Sequence, residues 1–399
     1  MTVEFEKLSA EIQNMGEAVL RRQQQATQLL LALRARLHEH ATHWAWADEC
    51  LKRVAPLVDE KFYRSARPLR QDEALDQGID PPLPPARATL LAVDGSQRLP
   101  TRHDPFLYYL LNIGVIIYRH GETGAPETTT APKLVYPSED MGQDVSAEFT
   151  PSNVSIQRDL AEINQLAHTA WKYRSDTPVL AVLDQRLQYW PIGSGDQAAS
   201  GRIVAEWIAA MDAIQHSGSW LVGYIERPET SALINLLYAL DWGQPDFDPA
   251  RLNQRPPVTD ADVYRPLLQP GQRTPVFEVI NPSGNYQKFV EAGQSIGFFY
   301  FRPPQADDLA RVDVPLWAAR QPGVIEQIHA LLHDQCRILG RYPYILTRAD
   351  EIAVVQTGDQ EYLDNLIALE LQRRGITGDI TGKQWGKEWT RAAKSRHAV

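Results

Sequence analysis

The sequence predicts an α/β fold: a mixed central sheet flanked by helices, with a helical amino-terminal extension. Three observations carry this. From residue 88 onward, short apolar, β-rich runs alternate with segments of helical periodicity, as helices layered on a sheet require. Two of those runs, Leu90-Leu91-Ala92-Val93-Asp94-Gly95-Ser96 and Val179-Leu180-Ala181-Val182-Leu183-Asp184, are apolar without alternation, as in strands buried on both faces. Before them, residues 3–55 repeat apolar side chains at helical spacing: Leu8, Ile12, Met15, Val19 and Leu20, then Leu29, Leu30, Leu33 and Leu37.

The 399 residues suffice for one large domain with an appendage, or for two domains. A hydrophobic content of 43% against 23% charged residues supports a substantial core and argues against wholesale disorder. The net charge of −10 argues against non-specific coating of nucleic acid, which needs a basic surface, but not against a nucleic-acid enzyme with an acidic, metal-filled centre. Two cysteines, Cys50 and Cys336, make no disulfide framework and fit a reducing cytoplasm. Met1 to Leu8 carry acids where a signal peptide starts basic, and no run of about 18 apolar residues occurs, so a cytoplasmic chain without a membrane span is expected.

In chain order, residues 1–66 read as a helical region, either a coiled-coil arm or a bundle packed on the main body. Residues 67–87 hold Pro68, Pro81, Pro82, Pro84 and Pro85 and read as a linker. The main domain spans 88–375. Strands are expected at 88–94, 107–118 and 131–136. A helix follows over 152–173, with Val154, Ile156, Leu160, Ile163, Leu166, Ala167 and Ala170 mostly on one face. Next come a strand at 178–184, a helix at 200–217, a strand at 219–225 and a helix at 229–240. Residues 241–272 are rich in Pro, Asp and Gln and read as surface loop with a short helix. Strands return at 275–281 and 296–302, and helices at 322–335, 347–356 and 359–374. The polar, basic segment 376–399 reads as a tail that is disordered or contacts phosphates.

Both apolar runs deliver an aspartate at the end of a strand, where backbone pairing stops and a cation can approach. Divalent magnesium and manganese favour hard carboxylate oxygens, and phosphodiester cleavage by such ions commonly draws on four of them. Asp94 and Asp184 are the first two candidates. Glu162 lies on the helix before the Asp184 strand, beside Ile163 and Leu166. Asp350 lies in a late helical run whose neighbours Leu346, Ala353 and Val354 are apolar, so it is expected to point inward more than Glu351. Each has a plainer reading. Asp94 before Gly95 is equally a turn former; Asp184 can pair with Arg186, Glu162 with Arg158 one turn earlier, and Asp350 with Arg348 or Arg341. The order is more telling than any member: strand Asp, helix Glu, strand Asp, late-helix Asp is the layout of ribonuclease H-like nucleases.

At this level the chain resembles NurA-type nucleases. The resemblance rests on Ala92-Val93-Asp94-Gly95-Ser96; Val182-Leu183-Asp184 with Leu187; Leu221-Val222-Gly223-Tyr224; Gly271-Gln272-Arg273-Thr274; Phe298-Phe299-Tyr300 with Arg311-Val312-Asp313-Val314-Pro315; and Tyr342-Pro343-Tyr344 leading to Ala349. These pieces occur in the family's order over roughly residues 87–375. The resemblance implies a ribonuclease H/PIWI-like core and manganese-dependent (or magnesium-dependent) DNA cleavage, with 5′–3′ exonuclease and single-strand endonuclease activity. It also implies a homodimer docked on a hexameric HerA-type ATPase, serving DNA repair, end resection or antiphage defence. Asp94 and Asp184 would hold metal and Glu162 assist. Two departures stand out. Asp350 occupies a position where the family usually has histidine, and Glu226 one where it often has lysine, which leaves Arg227 or Arg273 to offset phosphate charge. The competing readings are a degenerate nuclease-like scaffold of a DNA-translocating ATPase and a PIWI-like RNA nuclease.

Other motifs are weaker. His329 and His333 share a helical face but lack the glutamate of a zinc-protease motif. Gly193-Ser194-Gly195-Asp196 lacks the Lys-Ser/Thr of a P-loop, so the chain itself should not hydrolyse ATP. Tyr189 and Trp190, just past Asp184, are candidates for stacking on single-stranded bases, while most strand aromatics should be core. Ser96 is expected to cap the Asp94 turn.

Overall fold

The computed structural model describes residues 5–101, 106–137, 148–176, 178–191, 197–245 and 247–376. They fall into two compact units, one built from residues up to 84 and 224–341, the other from 85–223 and 342 onward. The basic tail and the 193–196 turn lie outside the described residues.

The chain opens with α1 (Ser9–Glu39), α2 (Trp44–Val54) and β1 (Ser65–Pro68). In α1 only Leu33 and Leu37 are buried, whereas Leu8, Ile12, Met15, Val19 and Leu20 are 41–60% exposed. Packing on the main body therefore holds for the second half of α1 and not for the first. β1 falls at the start of the proline-rich stretch. Pro68 is compatible with its end position, where no further ladder bond is required of it.

Next come β2 (Ala88–Arg98), β3 (Tyr109–His120), β4 (Glu127–Val135), α3 (Pro151–Lys172), β5 (Val179–Leu183), α4 (Gln197–His216) and β6 (Trp220–Glu226). β2, β3 and β4 form an antiparallel meander; β5 runs parallel to β2, and residues 220–223 of β6 run parallel to β5. The order β4-β3-β2-β5-β6 is that of a ribonuclease H-like sheet. Leu90 to Val93 are buried on both faces, which explains why this run shows no alternation. Helix α3 begins where Thr150 accepts the Asn153 N–H and Pro151 takes the first turn, and it buries the stripe from Val154 to Ala170 read from its spacing.

The remaining elements are α5 (Ala232–Ala239), α6 (Asp260–Tyr264), β7 (Phe277–Ile280), α7 (Gly284–Glu291), β8 (Ile296–Phe301), β9 (Ala310–Pro315), α8 (Leu316–Ala319) and α9 (Val324–Leu339), then α10 (Tyr344–Ala353) and α11 (Thr357–Arg373). β1, β7, β8 and β9 pair antiparallel around a core containing Phe277, Phe298, Phe299, Tyr300 and Phe301, so these strand aromatics are core, as expected. In the other unit α10 packs on β2 and β3, and α3 packs on β2, β3 and α4. Among the described residues no helix is long and apolar enough to cross a membrane.

One expectation is overturned. β2 does not stop in an Asp94-Gly95 turn; it runs on through Arg98, paired with β3. Asp94 is at an end only in a narrower sense: the parallel ladder with β5 finishes at Val93↔Leu183.

Candidate active site

That register is the root of the site. Val93 and Leu183 are the last partners of the β2–β5 ladder, so Asp94 and Asp184 follow side by side where two parallel strands part. Beyond this point β2 keeps only β3 as a partner, and β5 ends. A gap opens at the carboxyl end of β5, the place where open α/β sheets usually bind ligands.

Three glycines bring the other acid-bearing segments into that gap. A Cβ on Gly95 would lie 2.6 Å from Glu162 Oε1 and 2.7 Å from Arg158 Cγ, so both α3 side chains lie over a strand residue without a side chain. A Cβ on Gly114, the β3 partner of Asp94, would lie 2.6 Å from Ala349 O and from Ala353 N. Helix α10 therefore rests with its backbone on the strand. A Cβ on Gly223 would come within 2.3 Å of the Gln185 carbonyl, so the turn after Asp184 lies against β6. Ser96 Oγ and Asn112 Nδ2, themselves register partners, both donate to the carbonyl of Ala353, the last residue of α10. Ser96 thus holds the end of the Asp350 helix, not the turn predicted for it.

The electrostatics show four carboxylates converging. Asp94 is raised to about 6, chiefly by burial, then by its hydrogen bond and like charge with Asp350 and by the charge of Asp184. The Gly95 N–H, 2.8 Å from Asp94 Oδ1, opposes the shift. Glu162, 7% exposed, is pushed well above the ordinary carboxylate range by burial and by Asp159, Asp94 and Asp184, against the pull of Arg158. Its Oε1 is 3.2 Å from Arg158 Nε, and its Oε2 accepts from Gln185 Nε2 at 3.1 Å. Asp350 points inward more than Glu351, as predicted: it bonds Asp94, whereas Glu351 pairs with Arg348. Asp350 itself is exposed, and it reaches Asp94 from the rim because α10 lies so close to Gly114.

This donor set fits a divalent cation. Four hard oxygen donors crowd together, two of them held toward their protonated forms by burial and, after it, by mutual repulsion, which a doubly charged ion would relieve. Among the described residues no three acids are already arranged as ligands, and Glu162 is engaged by Arg158 and Gln185. A pH dependence follows. An acid raised to about 6 is charged only above that pH, and a cation must displace its proton. Mn²⁺ should raise the melting temperature clearly at pH 7.5 and far less at pH 5, which thermal denaturation with and without the ion will measure. Equal stabilisation at both pH values would place the cation elsewhere.

The NurA domain matches residues 88–355, which contain all four acids. The chain belongs to the NurA family. Comparison with curated proteins returns no match. Among solved structures, the chain is similar to the NurA nuclease from Sulfolobus solfataricus, with 11% identity and a TM-score of 0.48, over 90% of this chain and 98% of the other. It is similar to a NurA bound to dAMP and manganese, with 11% identity and a TM-score of 0.35, over 71% and 88%. Similarity extends to the catalytic domain of human Endonuclease V, with 12% identity and a TM-score of 0.29, over 86% and 98%.

The structure also describes the other residues singled out in this NurA sequence. Arg273 belongs to the other unit, is 1% exposed and pairs with Glu73 at 2.7 Å, so its guanidinium clamps a buried acid and is not presented to a phosphate. Arg227, also in that unit, is exposed and lies 3.4 Å from Asp308, at an unusual positive φ of 49°. Glu226 is exposed at the end of β6. Tyr189 is not a base platform. It is 6% exposed, stacks on Trp207 at 4.3 Å and donates to Asp159 at 2.9 Å. Trp190 is 47% exposed and keeps a free face. His329 is buried, bonded to the Gly271 carbonyl and lowered to about 3 by burial, a core histidine as its spacing without a glutamate suggested. Sequence reasoning missed Gly114 and Arg158. A glycine inside an apolar strand is the signal that marks the first; Arg158 was visible only as an ion-pair partner of Glu162.

Proposed function

We propose that this NurA-family chain is a divalent-metal-dependent deoxyribonuclease that processes DNA ends. The observation that carries the reading is the convergence of Asp94, Glu162, Asp184 and Asp350 where the β2–β5 ladder ends. Asp94 is central, since Asp350 and Asp184 both act on it directly and Glu162 feels it. When bound, Mn²⁺ or Mg²⁺ would supply Lewis acidity toward the phosphate and lower the pKa of the attacking water. Asp94 and Asp184 would hold the cation from the two strands, Glu162 from α3 and Asp350 from the rim. As an exposed carboxylate, Asp350 gives a hard oxygen donor where the family more often has a nitrogen. Gly95 leaves room for the Glu162 carboxylate to swing from Arg158 toward the gap. Trp190, exposed beyond Asp184, offers a stacking face to an unpaired base.

The net charge of −10 fits a chain that is handed DNA and does not coat it, in keeping with a homodimer docked on a HerA-type hexameric ATPase. Degradation of single- and double-stranded DNA labelled at either end, in Mn²⁺ or Mg²⁺, with and without such an ATPase, tests the proposal. Loss from the 5′ end and internal cuts in single strands are expected. No cleavage under any condition would overturn the enzyme reading in favour of a scaffold, and preferential cutting of a matched RNA would point to a PIWI-like ribonuclease.

A further inference from the structure

Arg273 is buried against Glu73 and Arg227 lies 3.4 Å from Asp308, whereas on α3 a cation already lies beside one of the acids. We propose that this group, Arg158, is a catalytic residue that binds a non-bridging oxygen of the scissile phosphate. This rests on the nuclease reading and adds to it a residue and its role. Arg158 lies one turn before Glu162 on α3, and its stem crosses Gly95, where a Cβ would lie 2.7 Å from its Cγ. That passage carries the guanidinium onto the side of the sheet where Glu162 lies, and the charge of Asp94 acts on it.

The guanidinium is aimed and only partly engaged. Its Nη2 donates to Asp159 Oδ1 at 2.9 Å, and its Nε lies 3.2 Å from Glu162 Oε1 without hydrogen-bond alignment. Its Nη1 has no protein acceptor among the described residues, and the side chain is 33% exposed. Asp159 is fixed in turn: its other oxygen accepts the Tyr189 hydroxyl at 2.9 Å, and Tyr189 stacks on the buried Trp207, whose indole donates to the Leu187 carbonyl. An arginine held at one edge by a rigid acid, with the other edge open, suits a planar phosphate contact. Tyr189 is then a positioning residue, acting through Asp159.

In the reaction the oxygen of water bonds to phosphorus while the bond to the leaving sugar oxygen breaks. One water proton ends on the leaving hydroxyl and the other goes to solvent. Arg158 exchanges no proton; it offsets charge on the phosphoryl oxygens, and Glu162, once it served as a ligand to a bound cation, would leave Arg158 free to do so.

The test is steady-state cleavage of end-labelled single-stranded DNA in Mn²⁺ by Arg158→Lys, Arg158→Ala and Tyr189→Phe, alongside Mn²⁺ titration and melting curves for each. Arg158→Ala should lose about 10²–10³-fold in kcat, as removal of one transition-state donor typically does, with Mn²⁺ affinity unchanged or higher. Added guanidinium ion at millimolar concentration should restore part of its activity, and Arg158→Lys should fall between. Tyr189→Phe should lower kcat less and leave KM unchanged. Wild-type activity in Arg158→Ala would overturn the assignment. So would a loss that guanidinium cannot rescue and that tracks a fall in Mn²⁺ affinity, since that is the behaviour of a mere support for Glu162. Inactive wild-type protein would instead refute the nuclease reading itself.

Discussion

Asp94→Asn is expected to lower DNA cleavage by about a thousandfold or more, the scale on which loss of a central catalytic group acts, while the protein stays folded. The substitution keeps the size of the side chain and the oxygen that accepts the Gly95 N–H at 2.8 Å. What it removes is charge. Burial and the neighbouring acids Asp350 and Asp184 make that charge unfavourable in the metal-free protein, which is why Asp94 is raised to about 6. Above pH 6 the metal-free variant should therefore melt at the same temperature as wild type or higher. Loss of activity together with retained or increased stability identifies a residue kept for function at a cost to the fold. Comparable cleavage rates for variant and wild type would remove Asp94 from the site.

The second large effect is expected at a residue with no side chain. Gly114→Val should abolish activity, weaken Mn²⁺ binding and destabilise the protein by about 1–3 kcal/mol, the usual range for overpacking. A Cβ there would lie 2.6 Å from two backbone atoms of α10, which cannot turn aside as a flexible side chain can. The helix would have to lift, and with it Asp350 and the Ala353 carbonyl held by Ser96 and Asn112. Gly95→Ala makes the contrast. Its new Cβ would meet the Glu162 and Arg158 side chains, which can move, so cleavage should fall with little change in melting temperature. Melting curves and cleavage rates of the two variants, measured together, check both halves of the argument. Full activity in Gly114→Val would show that α10 need not sit on the strand.

Much of this was legible in the sequence, for identifiable reasons. Strands buried on both faces leave runs such as Leu90–Val93 and Val179–Leu183, and a helix with one buried face leaves the 154–170 stripe, so the main elements and the four acids could be located from pattern alone. Pairing is not written in pattern. That Val93 meets Leu183, placing Asp94 beside Asp184, depends on parallel register between strands far apart in sequence. The continuation of β2 past Gly95 depends on β3, and neither Asp-Gly turn propensity nor local hydropathy carries that information. Asp350 turns toward Asp94, as its apolar neighbours suggested, but that it does so from an exposed rim depends on α10 approaching the sheet at Gly114. Arg273 and Tyr189 have residue types that bind nucleic acid, but Glu73 and Asp159 engage them inside the fold. Residue type proposes a role, and burial together with partners decides it.

The central claim is that four carboxylates, brought together by one ladder end and three glycines, make a divalent cation site. Calorimetric titration of Mn²⁺ into the wild-type chain and into Asp94→Asn and Asp184→Asn, at pH 7.5, tests it without relying on any substrate. Saturable binding in the wild type, lost or weakened at least about tenfold in each variant, as removal of a charged ligand requires, is the predicted result. Unchanged affinity in both variants would contradict the account, because no other part of it could then place the metal between the two strands.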